Sequence, residues 1–368
     1  MMIHSFQRAD IVVLTVIPSE LRAIREALEM SDQYRIKEDN GTIYDRCLIF
    51  SNNQKREYRV AVGCIDQAGN PGSAVATTLA IQRWKPQAVL LMGIAAGIRK
   101  KVKIGQVVFS ERVVGYESAA WKVDEDKYSY EEPRPEIERW SHSIAQDVSS
   151  YLADLNNEPL TERFLILNGP FPQPTEDEQG SIVQTIEVTT STIASGEKLL
   201  RDSSQLERLH GIHGKTEVGE MEALGFVEAC RRERVDWLVV RGISDFGDQF
   251  KSDQFHQLAT LAAATVLVDF LHYGLNLMDT QGDRKDEVSK SDPMNTARDL
   301  LGNLLDAQFD DIVSRYVPSH DRKYINLKET RSQIINNLIT YGNQREGECI
   351  PRLLEIIYTV APALKLIK

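Results

Sequence analysis

Along the first three quarters of the chain, short apolar runs alternate with stretches of helical periodicity, the rhythm of an α/β protein. Ile11 to Ile17 is almost wholly apolar and β-branched, as in a buried strand. Beyond Pro18, Leu21, Ile24, Ala27 and Leu28 fall on one helical face, which predicts a helix from Ser19 to Met30 with Ser19 as its N-cap. Two strand-like runs follow, Thr42 to Phe50 and Tyr58 to Gly63, then a loop at Ala68 to Gly72 and an Ala- and Thr-rich helix from Ser73 to Trp84. Ala88 to Met92 reads as a strand entering a small-residue loop, Gly93-Ile94-Ala95-Ala96-Gly97.

Val107 to Val114 is the next strand, and Gly115 to Pro135 a polar excursion. Ile137, Trp140, Ile144, Val148 and Leu152 predict a helix over Glu136 to Leu155, and the proline-rich Pro159 to Gln184 reads as a surface loop or lid. Strand propensity returns from Ile186 to Ser195. Leu224, Phe226, Val227 and Cys230 predict a helix over Ala223 to Arg234. Trp237 to Val240 is a buried strand that enters a loop at Arg241-Gly242, and Phe255 to Met278 is a long apolar helix.

The pattern then changes. Residues 279–293 are Asp-, Lys-, Ser- and Gly-rich without apolar periodicity, the composition of a linker. From 294 to 368, short stripes such as Leu300, Leu301, Leu304 and Leu305 predict a small all-α bundle. The expected organisation is an α/β domain over 1–278, a linker over 279–293 and a helical domain over 294–368.

Composition narrows the function. A hydrophobic content of 42% supports a sizeable core, and a net charge of −11 argues against direct nucleic-acid binding. Cys47, Cys64, Cys230 and Cys349 have no paired spacing, so neither a disulfide framework nor a metal site is indicated. The apolar runs Ile11 to Ile17 and Ala88 to Ile98 are too short to span a bilayer. The expected location is cytoplasmic, with no membrane association and no cofactor.

Chemistry concentrates in acids at the ends of predicted elements. Glu20 follows the first strand, Glu220 and Glu222 precede the Ala223 helix, and Asp245 follows the Trp237 strand. Strand carboxyl ends are where α/β sheets bind ligands. Any one of these acids also fits a bland role, complementing a helix dipole or forming a turn.

Together the segments resemble the purine nucleoside phosphorylase and 5′-methylthioadenosine/S-adenosylhomocysteine nucleosidase superfamily. The resemblance rests on Pro18-Ser19-Glu20, Gly69-Asn70, Leu91 to Gly97, Ile104 to Val108, Ile193-Ala194-Ser195-Gly196-Glu197, Glu220-Met221-Glu222-Ala223 and Ile243-Ser244-Asp245, in the family's order. It implies a mixed sheet flanked by helices and cleavage of a purine N-glycosidic bond. By the same resemblance Glu20 activates water, Glu222 with Met221 grips the ribose hydroxyls, and Asp245 serves purine N7. Gly93, Ile94, Ala95, Leu199, Leu200, Glu220 and Ser244 would complete the substrate site.

Two departures matter. Phosphorylases of the family hold phosphate with arginines and a serine in the glycine loop, where this chain has Met92 and Ile94, so hydrolysis is favoured, with Arg22 near Glu20 leaving phosphate open. Where nucleosidases place a Phe-Ile pair, this chain has Lys198-Leu199-Leu200. Lys198 and the cluster Arg99-Lys100-Lys101-Lys103 would meet a phosphorylated 5′ group or form a solvated face. The family's habits also imply at least a homodimer. The order of a nucleosidase-like domain and a helical tail resembles bacterial anti-phage effectors, with residues 294–368 as a death-fold-like adaptor for a protein partner. The alternatives are a non-catalytic nucleotide sensor and a phosphate-dependent phosphorylase.

Overall fold

A computed structural model describes residues 7–30, 35–38, 41–123, 129–174, 180–198, 202–248 and 253–278, with isolated positions 313, 353 and 356. The predicted linker and helical tail, and Leu199 and Leu200 of the expected base pocket, lie outside the described residues.

His4–Met278 forms a compact unit. In chain order it comprises β1 (Ile11–Thr15), α1 (Pro18–Ala27), β2 (Arg35–Lys37), β3 (Ile43–Ser51), β4 (Arg56–Cys64), α2 (Asn70–Trp84) and β5 (Ala88–Gly97). Then come β6 (Val107–Gly115), β7 (Ala119–Val123), β8 (Ser129–Pro133), β9 (Glu136–Arg139), α3 (His142–Asp154) and α4 (Asn157–Asn168). The last elements are β10 (Val188–Ser195), α5 (Ser203–Ile212), β11 (Thr216–Glu220), α6 (Ala223–Glu233), β12 (Asp236–Asp245) and α7 (His256–Tyr273).

The main sheet runs β11-β10-β6-β12-β5-β1-β4-β3-β2, with β9 on β6. It is mixed: β1 is parallel to β4 and β5, whereas β6 runs antiparallel to β12 and β3 to β4. β11 also turns back onto β5, pairing Val218 with Gly97 and Gly219 with Ala96. Strands β5, β12, β6, β10 and β11 therefore close into a ring, while β1, β4, β3 and β2 extend from it as an open sheet.

Helices cover both faces because the strands alternate. On β1, Ile11 and Val13 belong to a core cluster that also takes in Ile24 of α1, Ile144 of α3, Phe164 of α4 and Phe270 of α7. Val12 and Leu14 point the other way, toward Trp84 of α2 and Phe226 of α6. Each such buried aliphatic side chain contributes roughly 1.5–3 kcal/mol. α7 is buried on nearly every side from Leu258 to Leu271, which explains its unbroken apolar sequence.

Several local expectations change. α1 starts at Pro18 with Ile17 as N-cap, so Ser19 is not the cap; Glu20 reaches back and accepts from the Ile17 N–H at 3.1 Å, doing that work instead. Gly93 to Gly97 is not a loop. It continues β5, because β12 pairs along one side as far as Ala96 and β11 along the other. Likewise Arg241-Gly242 lies within β12. The Gly115–Pro135 excursion contains the β7–β8 hairpin. The helix expected over 136–155 is strand β9 followed by α3, which starts where Ser141 Oγ accepts from the Ile144 N–H at 3.3 Å. The expected loop over 159–184 begins inside α4, where Pro159 occupies the first turn and Phe164 is fully buried. Gly274 ends α7 earlier than the apolar run suggests.

Candidate active site

The acids meet at the carboxyl ends of β1, β5 and β12. Just past β1, Glu20 is 3% exposed, yet its carboxylate is well supplied with donors. The backbone N–H groups of Val16 and Ile17 donate to Oε2 at 2.8 and 3.1 Å, and that of Ile94 on β5 donates to Oε1 at 3.0 Å. Burial pushes the Glu20 pKa above the usual carboxylate range, opposed by Arg241 and by these three N–H donors.

Arg241 sits in mid-strand on β12 and is completely buried. Its Nη2 donates to Glu220 Oε2 at 2.5 Å and lies 3.7 Å from Glu222 Oε2. Both Glu20 and Arg241 press on Gly93, where a Cβ would collide with the carboxylate and with the guanidinium. Gly93 is therefore the floor under an acid–base pair rather than a wall of the cavity. Nε and Nη1 of Arg241 have no hydrogen-bond partner among the described residues.

Glu220 and Glu222 divide their work across the β11–α6 junction. Glu220 Oε2 accepts from the N–H of Glu222, and Glu220 Oε1 from that of Ala223, each at 3.0 Å. The next two N–H groups of α6 are also satisfied, Leu224 by Ser195 Oγ at 3.0 Å and Gly225 by Asn70 Oδ1 at 2.9 Å. The first turn of α6 is thereby tied to β11, β10 and α2 at once. Glu222 is left to face the cavity, accepting the Gly69 N–H at 3.1 Å. Burial, then the neighbouring Glu220, raises its pKa from 4.5 to about 7 against the pull of Arg241.

Gly69 holds φ at +96°, a left-handed value that glycine adopts freely. The next N–H, that of Asn70, donates to Glu197 Oε1 at 3.0 Å, so Glu197 serves to anchor this turn. Asp245 closes the opposite wall. Ser244 Oγ donates to Asp245 Oδ2 and the Gly247 N–H to Oδ1, both at 2.8 Å.

Glu20, Ile94, Ala95, Met221, Glu222, Ser244 and Asp245 all line one cavity of 200 Å³, with Glu220. Larger cavities of 520 and 750 Å³ lie under α3, α4 and α7 and between α1, α2 and β3, away from these acids. Lys198 and His256 also line the acidic cavity. Of the expected basic cluster, Arg99 is committed to Asp248 at 2.7 Å and to the Phe246 ring, and Lys103 to Glu187 at 2.7 Å.

Three residues at the site were not anticipated as functional. Arg241 ends an apolar run, where a charged residue ordinarily marks the return to solvent. His256 opens a helix that reads as purely structural. Tyr116 lies in the polar excursion, its ring flush against Gly196 and its buried hydroxyl without a partner among the described residues. Burial, with Glu117, Glu220 and Glu197 nearby, pushes its pKa up to about 12.

Residues 10–272 match the family model described as the phosphorylase superfamily. The chain is similar to the ATP nucleosidase Cap17 of Escherichia coli, 38% identical over 269 residues, which cover 72% of this chain and 51% of that protein. The chain thus spans about half the length of that relative. It is also similar to 5′-methylthioadenosine/S-adenosylhomocysteine nucleosidase of Bacillus subtilis, 25% identical over 195 residues, 53% of this chain and 72% of the other. The solved nucleosidase of Neisseria meningitidis in complex with methylthio-immucillin-A shares the fold, with a TM-score of 0.52 over 71% of this chain and 97% of that one, at 16% identity.

Proposed function

The chain belongs to the phosphorylase superfamily over residues 10–272, and on that premise we propose that it hydrolyses the N-glycosidic bond of a purine nucleoside or nucleotide. The observation that carries this reading is the convergence of Glu20, Glu222 and Asp245, from three separate parts of the sequence, on one cavity.

Cleavage of the C1′–N9 bond develops positive charge on the ribose and negative charge on the purine. Glu222 accepts hydrogen bonds from the ribose hydroxyls and stabilises the first charge. Asp245 stands at the purine and, in its protonated form, donates to N7, relieving the second. Glu20 takes the proton from the attacking water, and its raised pKa is the direction a general base at neutral pH requires.

Water suits the cavity better than phosphate does. Ile94 brings only its N–H to the Glu20 side, and that N–H is already given to the carboxylate. An anionic nucleophile would need free donors there. Similarity to an ATP nucleosidase and to methylthioadenosine/adenosylhomocysteine nucleosidases supports adenine as the base. In the wider reading, residues 1–278 are the effector of a bacterial anti-phage system, residues 279–293 a linker, and residues 294–368 the adaptor that recruits a protein partner. A homo-oligomer is the expected assembly.

The test is chromatography of base release from methylthioadenosine, adenosylhomocysteine, adenosine, AMP and ATP, with and without phosphate. Free adenine without phosphate is the expected result. Release only with phosphate, together with ribose 1-phosphate, would make the protein a phosphorylase. No base from any substrate would replace the enzyme by a nucleotide sensor.

A further inference from the structure

The acids that suit the cavity to a ribosyl cation make it hostile to a phosphate chain. Glu20, Glu220, Glu222 and Asp245 line it, and Arg241 is hidden behind Glu220. Lys198 is the one lysine or arginine among the described residues of its lining. Phosphates carried into the cavity would meet four acids there, with Lys198 as the lysine that attracts them.

The topology explains why Lys198 is there. β6 and β10 run parallel, with Gly115 paired to Ser195 at their carboxyl ends. Residues 116–117 and 196–198 therefore leave the sheet side by side, steadied by the Tyr116 ring against Gly196. Lys198 Nζ comes to rest 3.4 Å from Glu117 Oε1. Its side chain is 76% exposed, against 30% for Glu117, so it is held at one end and otherwise free to swing.

We propose that Lys198 determines specificity for the 5′ end of the substrate, binding the polyphosphate of an adenine nucleotide, and that Glu117 holds it at the cavity mouth until the nucleotide arrives. This rests on the nucleosidase reading above for its substrate class. A lysine is a flexible point charge, well matched to a phosphate chain that does not impose a planar fork. A triphosphate offers more charge and more acceptor oxygens than one carboxylate, so it draws the ammonium away from Glu117. Glu117 is also a negative charge beside the path of the phosphates. Removing Lys198 and removing Glu117 must therefore act in opposite directions, which a purely structural pair would not do.

The experiment measures kcat/KM for adenine release from ATP, AMP and adenosine by the full chain, Lys198→Met and Glu117→Gln. The ratio of ATP to adenosine is expected to fall roughly tenfold or more in Lys198→Met and to rise about threefold in Glu117→Gln, with AMP between. Ratios within about twofold of the parent in both variants overturn the proposal. A fall in both overturns the holding role of Glu117. If the parent releases no adenine from any substrate, the nucleosidase reading fails separately, and ATP affinity by calorimetry decides: weakening of roughly tenfold in Lys198→Met supports the phosphate site, and unchanged affinity overturns it.

Discussion

Replacing Arg241 by methionine removes the charge on which the acids at the sheet rim depend while keeping most of the side-chain volume. The guanidinium is fully buried, 2.5 Å from Glu220 and 3.7 Å from Glu222. Unit charges about 4 Å apart attract by roughly 4 kcal/mol at an effective dielectric of about 20. Desolvation of the partners consumed much of that when the protein folded, but removing one partner leaves the other acids buried and uncompensated. Such a deletion costs about 3–5 kcal/mol. At a slope of ~3 kcal/mol per molar urea, the unfolding midpoint at pH 8 should drop by about 1 M or more. The loss should be smaller at pH 5.5. Arg241 lowers the pKa of both Glu20 and Glu222, so without it they hold their protons to higher pH, and a protonated acid needs no counter-charge. The folded variant thus binds more protons than the folded parent, and its stability falls more steeply as pH rises. Urea unfolding followed by fluorescence of the buried Trp84 and Trp237 reads both quantities. A midpoint shift below about 0.3 M at pH 8, or equal shifts at the two pH values, would show that the guanidinium does not hold the acids together.

Glu20→Gln should lower adenine release by about 10²–10⁴-fold while nucleotide affinity by calorimetry stays within a few-fold; near-normal turnover removes Glu20 from the role of base. Glu222→Gln tests the raised pKa through stability. Between 4.5 and about 7 the folded parent carries the Glu222 proton that the unfolded chain has lost, so stability drains away as pH rises through that window. Glutamine removes this penalty, and thermal melts should show the variant gaining on the parent at pH 8, with the gap closing below pH 4.5; parallel profiles would refute the assignment. Gly93→Ala should cost about 1–3 kcal/mol in chemical denaturation and abolish adenine release, because the added methyl displaces Glu20 or Arg241.

Much of the architecture was legible because buried strands announce themselves. Ile11 to Leu14 and Ala88 to Met92 are apolar on both faces because helices cover both. Glu20, Glu222 and Asp245 stood out because ordered motifs placed them at element ends. Residues whose roles come from distant partners were not legible. Ala95, Ala96 and Gly97 look like a loop, and only the pairing of β11 on one side and β12 on the other makes them strand. Arg241 looks like the end of a strand, since its partners Glu220 and Glu222 arrive from another element. The helix expected over 136–155 failed for a local reason: Ile137 and Trp140 fit the periodicity, but Ile137 is exposed on β9 and Ser141 restarts the chain as α3.

The ring of β5, β12, β6, β10 and β11 also sets the moment at which chemistry becomes available during synthesis. β12 is inserted between β5 and β6, strands made long before it. A chain emerging from the ribosome N-terminus first carries Glu20 early, but it lacks Glu222, Arg241 and Asp245 until nearly all of His4–Met278 has been translated. Insertion of that late central strand joins the two halves of the rim in one event. Until then the acids of the rim are not assembled, so on the proposed nucleosidase reading a partial chain lacks a complete site.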